Sequence, residues 1–521
     1  MVKYPLGIQS FEKLRKNGCV YIDKTDYVYK LAYSGTTAYF LARPRRFGKS
    51  LLCTTLCNFF EGKKELFEGL KISEIEKDWT RYPVFYLPLA SGDFSKENAL
   101  RNRLNNALDD FAERNGVMVD NPKLSLAEKF GTIVTRVYEK TGLQTVFIVD
   151  EYDNPLINSE HLDDDKKTYR EFFTVLKDYD NYFRFVFLTG VTKFAKTSIF
   201  SGTNHPEDIS MSPIYSAVCG VTHDELLSIF TDEIQDFAKQ EGVTFDEMTA
   251  ELYKWYDCYL FHERGEKVLN PVSLFNVLKK KDFQNYWYET GTPTILMKRI
   301  KNSNFDIKTL RCDVEYGKDE LNNYKDDEFK TELIPHLYYT GYLTIKSYEK
   351  NFRTYTLGFP DYEVEMSFFN SLAKEFYIND ANPDGLEYTK FKEDFRKCDI
   401  ESAIERFKAL FCAIPYANDK SVKLIERDFQ NVIYLVFTIL GEFIVSEAHF
   451  SKGRADSILI NNDYVYIFEF KIDQDAQTAL NQIDIKNYAG RFAMDNRKIV
   501  KVGVSFSSTE KNIVDWVMKS E

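Results

Sequence analysis

The first 220 residues contain four apolar runs that are separated by amphipathic stretches. The runs are TAYFLA (37–42), VFYLPLA (84–90), TVFIVDE (145–151) and FRFVFLTG (183–190). Continuous apolar strands that alternate with helices are typical of a parallel sheet covered on both faces. The sequence therefore predicts an α/β fold for this part of the chain.

Downstream of these runs the character of the sequence changes twice. Residues 221–285 are predicted to be mostly helical, and TELIPHLYYTGYLTI with TYTLGFP predicts a helix, a glycine turn and two strands, as in a small winged-helix unit. The tail returns to an α/β pattern, with strands expected at FIVSEAHF, DSILI and YVYIFEF and a last one at KVGVSF. Because 521 residues exceed one hydrophobic core, we predict three domains, at residues 1–285, 286–370 and 371–521.

Composition and charge narrow the class of protein. No stretch approaches 18 uninterrupted apolar residues, and the N-terminal MVKYPLGIQSFEKLRKNG lacks the apolar core of a secretory signal. The 8 cysteines include no CxxC pair, as expected for thiols in a reducing compartment. We therefore expect a cytoplasmic protein without a membrane span. The net charge of −12 opposes non-specific wrapping of nucleic acid, so such contacts must come from local basic patches, the first being Arg43, Arg45 and Arg46.

A glycine, a lysine and a serine follow the first apolar run. In ARPRRFGKSLL, Gly48 frees the backbone to wrap around a phosphate, and a helix beginning at Lys49 or Ser50 directs its N–H groups to the same place. Lys49 would neutralise the phosphates, and Ser50 would help to hold Mg²⁺. The usual pattern is G-x-x-x-x-G-K-[ST], and Arg43 stands in place of its first glycine. The alternative is a basic turn that only looks like a phosphate loop.

Two acids end the third apolar run. Asp150 lies 100 residues downstream of Ser50 and is suited to hold Mg²⁺ through water, while the adjacent Glu151 can orient an attacking water. The alternative is that the pair caps the next helix and occupies its first turn. The presence of the loop favours the nucleotide interpretation.

Several longer stretches carry a family resemblance. They are the opener YPLGIQSFEKLRKNGCVYIDKT, the loop RPRRFGKSL, the strand FIVDEYDNPL, the run GVTKFAKTSIFSG, and WYDCYLF followed by NPVSLFN. Together they cover about residues 4–290 and resemble the bacterial and archaeal AAA-ATPase-like family of predicted ATPases. That family also writes its loop RPRRFGKS, so the resemblance implies ATP binding, with Arg43 and Arg46 among the residues that bind the nucleotide. The arginine in place of the first glycine is physically tolerable if Arg43 reaches open φ/ψ space and adds positive charge near the phosphates. In P-loop ATPases a polar residue on the neighbouring strand senses the γ-phosphate, and Thr189 is the candidate; a strand-capping hydroxyl is the alternative.

The tail stretch GRADSILINNDYVYIFEFKID carries a second set of charged residues. Asp456 is followed 13 residues later by Glu469, and Lys471 lies on the same strand face as Glu469. Phosphodiester hydrolysis needs carboxylates that converge on Mg²⁺ or Mn²⁺ and a cation near the attacking water. The pattern resembles the PD-(D/E)xK nuclease superfamily, which implies Asp456 and Glu469 as metal ligands and Lys471 as the residue that positions or activates the water. Glu426, on the preceding helix, would support the metal.

This second resemblance covers about residues 420–510 and implies a restriction-endonuclease-like α/β domain. Gln482 and Tyr488, expected on the following helix, match a pattern often seen in that superfamily. The alternative for Glu469 and Lys471 is a cross-strand ion pair on a solvated face. That alternative explains neither the apolar YVYIF setting nor Asp456.

Taken together, the two constellations predict an ATPase coupled to a metal-dependent nuclease that acts on nucleic acid, with DNA favoured. The rival from another class is an ATP-operated switch whose tail is a non-cleaving binding module for nucleic acid or protein. A third interpretation is a plain globular core with decorative motifs, which predicts no nucleotide affinity. AAA-type relatives often form rings, which leaves a homo-oligomer open.

Overall fold

The computed structural model describes most of the chain, in two compact units. The first unit is Met1–Gly291 with Asp313–Val364, and the second is Thr292–Cys312 with Glu365–Glu521. The described residues are 2–193, 206–257, 259–287, 296–297, 300, 310, 314–324, 333–377, 388–413, 433, 443–450, 453–492 and 496–520. For 373–377, 388–389, 413, 443–450, 453–456 and 491 only the backbone is described.

A parallel sheet forms the centre of the first unit. The predicted α/β architecture is confirmed, because all four apolar runs are strands and they pair in parallel. A short fifth strand, which the sequence did not indicate, joins them, giving the order β2-β3-β4-β1-β5 in the described residues. The strands are β1 (Ala38–Ala42), β2 (Val84–Pro88), β3 (Thr145–Asp150), β4 (Phe183–Gly190) and β5 (Glu207–Asp208).

Helices and aromatic side chains cover this sheet. All six residues of β3 are buried, so both of its faces are covered. Phe85 of β2 and Phe147 of β3 stack with ring centroids 5.1 Å apart, and Phe130 packs edge-on against both. The helices are Phe11–Lys16, Thr25–Tyr33, Lys49–Phe60, Ile72–Ile75, Ala99–Asn115, Leu126–Thr141, Asn154–Ile157, Leu162–Phe173 and Val175–Asp178.

A helical region follows, as the sequence predicts for 221–285. Its helices are His223–Glu241, Phe245–Tyr256 and Pro271–Lys280, with the two-residue strands β6 (Val221–Thr222) and β7 (Val268–Leu269). Thr222 and Thr244 each form a capping box with a glutamate three residues later. Asn270 caps the third helix, whose first residue is a proline. Local cap sequences therefore set where each helix begins.

A three-stranded antiparallel sheet with two helices completes the first unit. We call it the hairpin module, comprising the described residues within 314–358. The sequence predicts its helix, glycine turn and two strands, whereas β8 is an addition. The order is β8-β10-β9, and Gly341 makes the turn after the second helix with φ of 93°. Its elements are β8 (Val314–Gly317), Lys318–Asn322, Leu333–Thr340, β9 (Thr344–Glu349) and β10 (Thr354–Gly358).

The second unit contains a mixed sheet in the order β11-β12-β13-β14-β15. The parallel pair is β13 and β14, and a helix connects them. The expectation that KVGVSF forms the last strand is wrong, because β15 follows it as an antiparallel edge strand. The strands are β11 (Phe443–Phe450), β12 (Gly453–Ile460), β13 (Tyr464–Ile472), β14 (Lys498–Ser507) and β15 (Asn512–Ser520). The described residues also form helix Tyr362–Tyr377, which begins in the first unit, and helices Tyr388–Lys397, Ile400–Ala413 and Ala476–Lys486.

Within the described residues, no helix combines the length and the apolar character that crossing a bilayer would need.

Candidate functional site

The predicted phosphate loop lies between β1 and helix Lys49–Phe60. Gly48 is the N-cap of that helix and has φ of 94°, a left-handed conformation that other residues adopt only at a cost. The first N–H groups of a helix have no partner within the helix. Together with the helix dipole they attract negative charge, so the start of this helix is suited to a phosphate group.

Lys49 is buried inside this loop. Its Nζ donates to the carbonyl oxygens of Arg43 and Pro44, at 2.9 Å each. Burial lowers the pKa of the Lys49 ammonium, while the carboxylates of Asp153 and Asp150 act in the opposite direction. A lysine held in this way can exchange two neutral carbonyl partners for charged phosphate oxygens, which form stronger hydrogen bonds.

The loop arginines have two different settings. Arg43 is 1% exposed, and its guanidinium donates to the carbonyl oxygens of Ser210 and Tyr215, at 2.6 and 3.0 Å. It also lies over the ring of Phe261, 3.9 Å from the centroid. Arg43 does not have a left-handed backbone, so the condition that it reach open φ/ψ space is not met; the arginine with a left-handed backbone is Arg46, with φ of 67°. The contacts of Arg43 favour a role in holding the loop in place, and Arg46 is the more exposed of the two.

Asp150 ends β3 at the edge of the sheet where the loop lies. Its Oδ2 accepts a hydrogen bond from the Tyr86 hydroxyl at 3.3 Å. Its Oδ1 is buried and has no hydrogen-bond partner among the described residues. Burial raises the pKa of the Asp150 carboxyl, and the Ser50 hydroxyl and the Lys49 ammonium oppose this shift. A buried carboxylate oxygen without a partner, next to a serine hydroxyl, fits the oxygen ligands that Mg²⁺ takes.

Glu151 follows directly and has a strained backbone. Its φ is 55°, which is uncommon for a residue other than glycine. Burial and the neighbouring Asp150 raise the pKa of the Glu151 carboxyl. Strain of this kind persists only where the surrounding structure enforces it, often at a functional site. The raised pKa and the position beside Asp150 suit a general base.

Asp153 is a residue that the sequence reasoning missed. It is 2% exposed, and its Oδ2 accepts hydrogen bonds from the backbone N–H groups of Val191 and Thr192, at 2.8 and 2.7 Å. The Thr192 hydroxyl donates to the same oxygen at 2.9 Å. The absence of a side chain at Gly190 makes space for the Asp153 carboxylate, since a Cβ there would stand 2.5 Å from Asp153 Oδ1. Asp153 therefore fixes the segment after β4 against the end of β3. The third acid in DEYD is the signal that could have revealed it.

Thr189 lies between the two strands that carry the site. It pairs with Asp150 of β3 and with Leu41 of β1. Its hydroxyl is buried and donates to the Leu41 carbonyl oxygen at 2.8 Å. This contact is the one expected of a strand-capping hydroxyl. A role in sensing a phosphate would require the hydrogen bond to be released.

The second unit brings a carboxylate, a lysine and an amide together on β13. Glu469 is buried, and its Oε1 accepts a hydrogen bond from Lys471 Nζ at 3.2 Å. The same oxygen accepts from Gln482 Nε2, on helix Ala476–Lys486. Because the Glu469 side chain is only 2% exposed, the pair does not lie on a solvated face. Tyr488 lies beyond this helix, in the short 3-10 helix Tyr488–Phe492, so its predicted place on the helix is wrong.

The acids that would complete this site are only partly described. Ser457 of β12 pairs with Phe468 of β13, and Asp456 and Glu469 are the next residues along these two antiparallel strands. The register thus brings their backbones to one level of the sheet. The described side chains contain no group of three metal-ligating residues. A metal would therefore depend on the Asp456 side chain and on Glu426, both of which lie outside the described part.

Gly503 explains how the helix reaches Glu469. It pairs with Glu469 across the parallel strands β13 and β14. A Cβ at Gly503 would stand 2.4 Å from the Ala476 carbonyl oxygen and 2.6 Å from the Leu480 nitrogen. Only glycine lets the helix backbone lie this close to the sheet, and that closeness brings Gln482 to Glu469.

Comparisons with known proteins match the N-terminal and the C-terminal parts of the chain to two different families. Residues 5–200 match the AAA-ATPase-like family model, described as predicted AAA-ATPase, and residues 424–516 match a model of the PD-(D/E)XK nuclease superfamily. The chain is 32% identical over 532 residues to the protein in the vnfD 5′ region of Azotobacter chroococcum mcd 1, with 99% of each chain covered.

Two archaeal structures show weak likeness. The Aeropyrum pernix ORC1 protein, in complex with DNA, is 12% identical with a TM-score of 0.25, covering 68% of this chain and 91% of that one. Cdc6p from Pyrobaculum aerophilum is 13% identical with a TM-score of 0.23, covering 68% and 93%. Neither likeness is close enough to support a functional comparison.

The fold and the loop define a P-loop ATPase unit, followed by a nuclease-like unit. The chain belongs to the AAA-ATPase-like family and carries a C-terminal region of the PD-(D/E)XK nuclease superfamily.

Proposed function

We propose that the chain binds and hydrolyses ATP and couples this to a metal-dependent nuclease that acts on nucleic acid, with DNA as the favoured substrate. The observation that supports the proposal is that Lys49 lies near carboxylates in the first unit and Lys471 donates to Glu469 in the second, and that the two regions match a predicted AAA-ATPase family and a nuclease superfamily. The cysteines described as free thiols suit a cytoplasmic setting.

In the first unit the residues divide the work on a nucleotide. The N–H groups after Gly48 and the Lys49 ammonium would bind the phosphates, and Ser50 and Asp150 would hold Mg²⁺. The ion, when bound, neutralises charge that develops on the transferred phosphoryl group. Glu151 orients the attacking water and accepts its proton, and its raised pKa brings the carboxyl nearer to the value that suits a base.

In the second unit Glu469 and Lys471 are the central groups. Asp456 and Glu469 would hold Mg²⁺ or Mn²⁺, which supplies Lewis-acid stabilisation of the phosphodiester oxygens. Lys471 already donates to Glu469, so it stands where it can also position a water beside that carboxylate. Gln482 fixes the orientation of the Glu469 carboxyl from the helix side.

One feature favours DNA as the substrate. The hairpin module has a helix, a turn and a two-stranded hairpin of the kind found in winged-helix DNA-binding units. The net charge of −12 weakens non-specific attraction to phosphates, which favours a restricted contact over general coating of RNA or DNA.

The test is a cleavage assay on the full chain. Plasmid DNA and a matched RNA are incubated with Mg²⁺ or Mn²⁺, with and without ATP, using wild type, Lys471→Ala and the control Lys486→Ala, whose side chain is exposed on the same unit. We expect metal-dependent cleavage of DNA that responds to ATP, is lost in Lys471→Ala and is kept in Lys486→Ala. Cleavage by Lys471→Ala at the wild-type rate, or none by wild type, would overturn the nuclease. ATP binding together with DNA retention by Asp456→Ala and no cleavage would instead establish the switch.

A further inference from the structure

The outer edge of β15 is an open strand edge. Among the described strands β15 pairs only with β14, in six consecutive residue pairs that run from Asp515 opposite Ser505 to Ser520 opposite Val500. Its other edge faces away from the sheet, and alternate residues of 514–518 present backbone N–H and C=O groups there. Within the described part of the chain these groups have no further hydrogen-bond partner. Such an edge is ready to pair with another strand.

Apolar side chains lie exposed along this edge. Val514 is 45% exposed and Met518 is 47% exposed, and Trp516 between them is half-buried. Proteins commonly protect an open edge with prolines or with charged side chains. β15 contains no proline, and its only charged residues are Asp515 and Lys519, which differ in sign. A second strand of the same sequence would therefore meet attraction or repulsion according to its register.

The two charged residues make β15 complementary to itself. Asp515 and Lys519 lie on the same strand face, with Val517 midway between them. If two copies pair antiparallel about Val517, each Asp515 lies opposite the Lys519 of the other copy, with Cβ atoms about 5 Å apart. The same register sets Trp516 opposite Met518 on the other face, a favourable contact between an aromatic ring and a thioether. Registers centred on Asp515 or on Lys519 instead set like charges opposite each other, so charge selects one alignment.

Lys519 can contact a second carboxylate without leaving its own unit unbalanced. Its Nζ lies 3.6 Å from Asp484 Oδ2, and its side chain is 53% exposed. Asp484 also accepts a hydrogen bond from Lys501 Nζ at 2.6 Å, so that carboxylate keeps a cation when Lys519 turns outward. An ammonium has three N–H donors and can serve two carboxylates at once.

We propose that β15 is a docking edge for a second copy of this chain, paired antiparallel about Val517 so that the two five-stranded sheets join into one. An edge about 30 Å long and about 10 Å thick buries roughly 300 Å² on each copy. A standard interface buries ~800 Å² on each partner, so the dimer is weak and exchanges with the monomer at micromolar concentrations. Pairing of this kind depends on neither ATP binding nor cleavage, so its test and the test of the proposed function can fail separately.

Sedimentation velocity of the full chain over a range of concentrations measures this equilibrium. Asp515→Lys sets two lysines opposite each other, and Lys519→Asp sets two aspartates opposite each other. An equimolar mixture of these two variants restores opposite charges at both positions. Glu510→Lys is the control, because it makes the same charge change as Asp515→Lys at an exposed residue that precedes β15.

Wild type should dimerise, and each single variant should dimerise at least tenfold more weakly. The mixture should regain the wild-type association, which unfolded chains could not do, and Glu510→Lys should leave it unchanged. A wild type that stays monomeric at ~100 µM, where pairing of micromolar affinity would be nearly complete, would refute the second copy and leave the edge to a strand of another protein. Single variants that dimerise as wild type does, or a mixture that associates no more tightly than either variant, would overturn the register and the proposal with it.

Discussion

Replacing Gly503 by alanine tests the geometry of the nuclease-like site directly. The added Cβ would stand 2.4 Å from the Ala476 carbonyl oxygen and 2.6 Å from the Leu480 nitrogen, and both are backbone atoms that cannot rotate away. Ordinary contacts of a Cβ begin near 3.4 Å, so helix Ala476–Lys486 must withdraw by roughly 1 Å. That shift pulls Gln482 away from Glu469, which it now contacts.

The cost follows from the packing. Overpacking a well-packed interior typically costs about 1–3 kcal/mol. For a unit of this size, each kcal/mol lowers the melting temperature by about 2–4 °C, so a central value of about 2 kcal/mol predicts a fall of about 4–8 °C. The nuclease activity should fall further than the stability, because Glu469 loses the partner that orients its carboxyl.

Thermal unfolding of the full chain, followed by calorimetry, measures the first effect, and metal-dependent cleavage at a temperature where the variant is folded measures the second. The matched control is Gly490→Ala in the same unit, where the new Cβ meets only the end of the Asn487 side chain, which can rotate. If Gly503→Ala melts no lower than Gly490→Ala, then the helix does not approach β14 as closely as the structure shows, and the account of Gln482 fails with it.

Three further changes test the first unit. Glu151→Gln should keep ATP affinity within tenfold and abolish steady-state hydrolysis. The rate of wild-type hydrolysis should rise with pH through a pKa above the ordinary 4.5, because burial and Asp150 raise the pKa of Glu151. A rise in rate that is centred at or below pH 4.5 would contradict this. Asp153→Ala should cost on the order of 3 kcal/mol in denaturant unfolding, since the N–H groups of the segment after β4 lose their acceptor; a change near zero would count against it. Arg43→Lys should lower the free energy of unfolding by about 1–3 kcal/mol, because it leaves backbone carbonyls without a partner. It should change ATP affinity less than tenfold. A loss of ATP affinity without a loss of stability would instead indicate that Arg43 binds the phosphates.

Much of the fold could be predicted because the relevant signal is local. Four apolar runs between amphipathic stretches can hardly form anything other than buried parallel strands, and the loop glycine marks the start of its helix. Strand order is not a local property. The insertion of β4 between β3 and β1 decides that Thr189 stands between Asp150 and Leu41, and no periodicity in the sequence encodes it.

In the candidate site too, features that depend on neighbouring residues could be predicted, and features that depend on residues far apart in the chain could not. Asp150 and Glu151 could be proposed from the sequence because a strand followed by acids is a local pattern. The setting of Arg43 could not, since its charge says nothing about direction and its partners Ser210, Tyr215 and Phe261 are far away in the chain. Gly503 was missed for a related reason. A glycine in a strand is read as a weak strand former until the helix backbone above it is seen.

The phosphate loop also packs against Trp287 and against the hairpin module, so we expect nucleotide binding at the loop to affect both contacts. The indole N–H of Trp287 donates to the Arg45 carbonyl oxygen at 3.0 Å. A Cβ at Gly341, in the turn of the module, would stand 2.6 Å from Pro44. The same stretch is held from inside by Lys49, which bonds the carbonyl of Pro44. If Lys49 binds a phosphate in place of the Pro44 carbonyl, that carbonyl loses its hydrogen bond while Trp287 and Gly341 still pack against Pro44 and Arg45. We therefore expect occupancy of the loop to alter the packing of the hairpin module, because closely packed contacts of this kind shift between discrete arrangements and do not deform gradually.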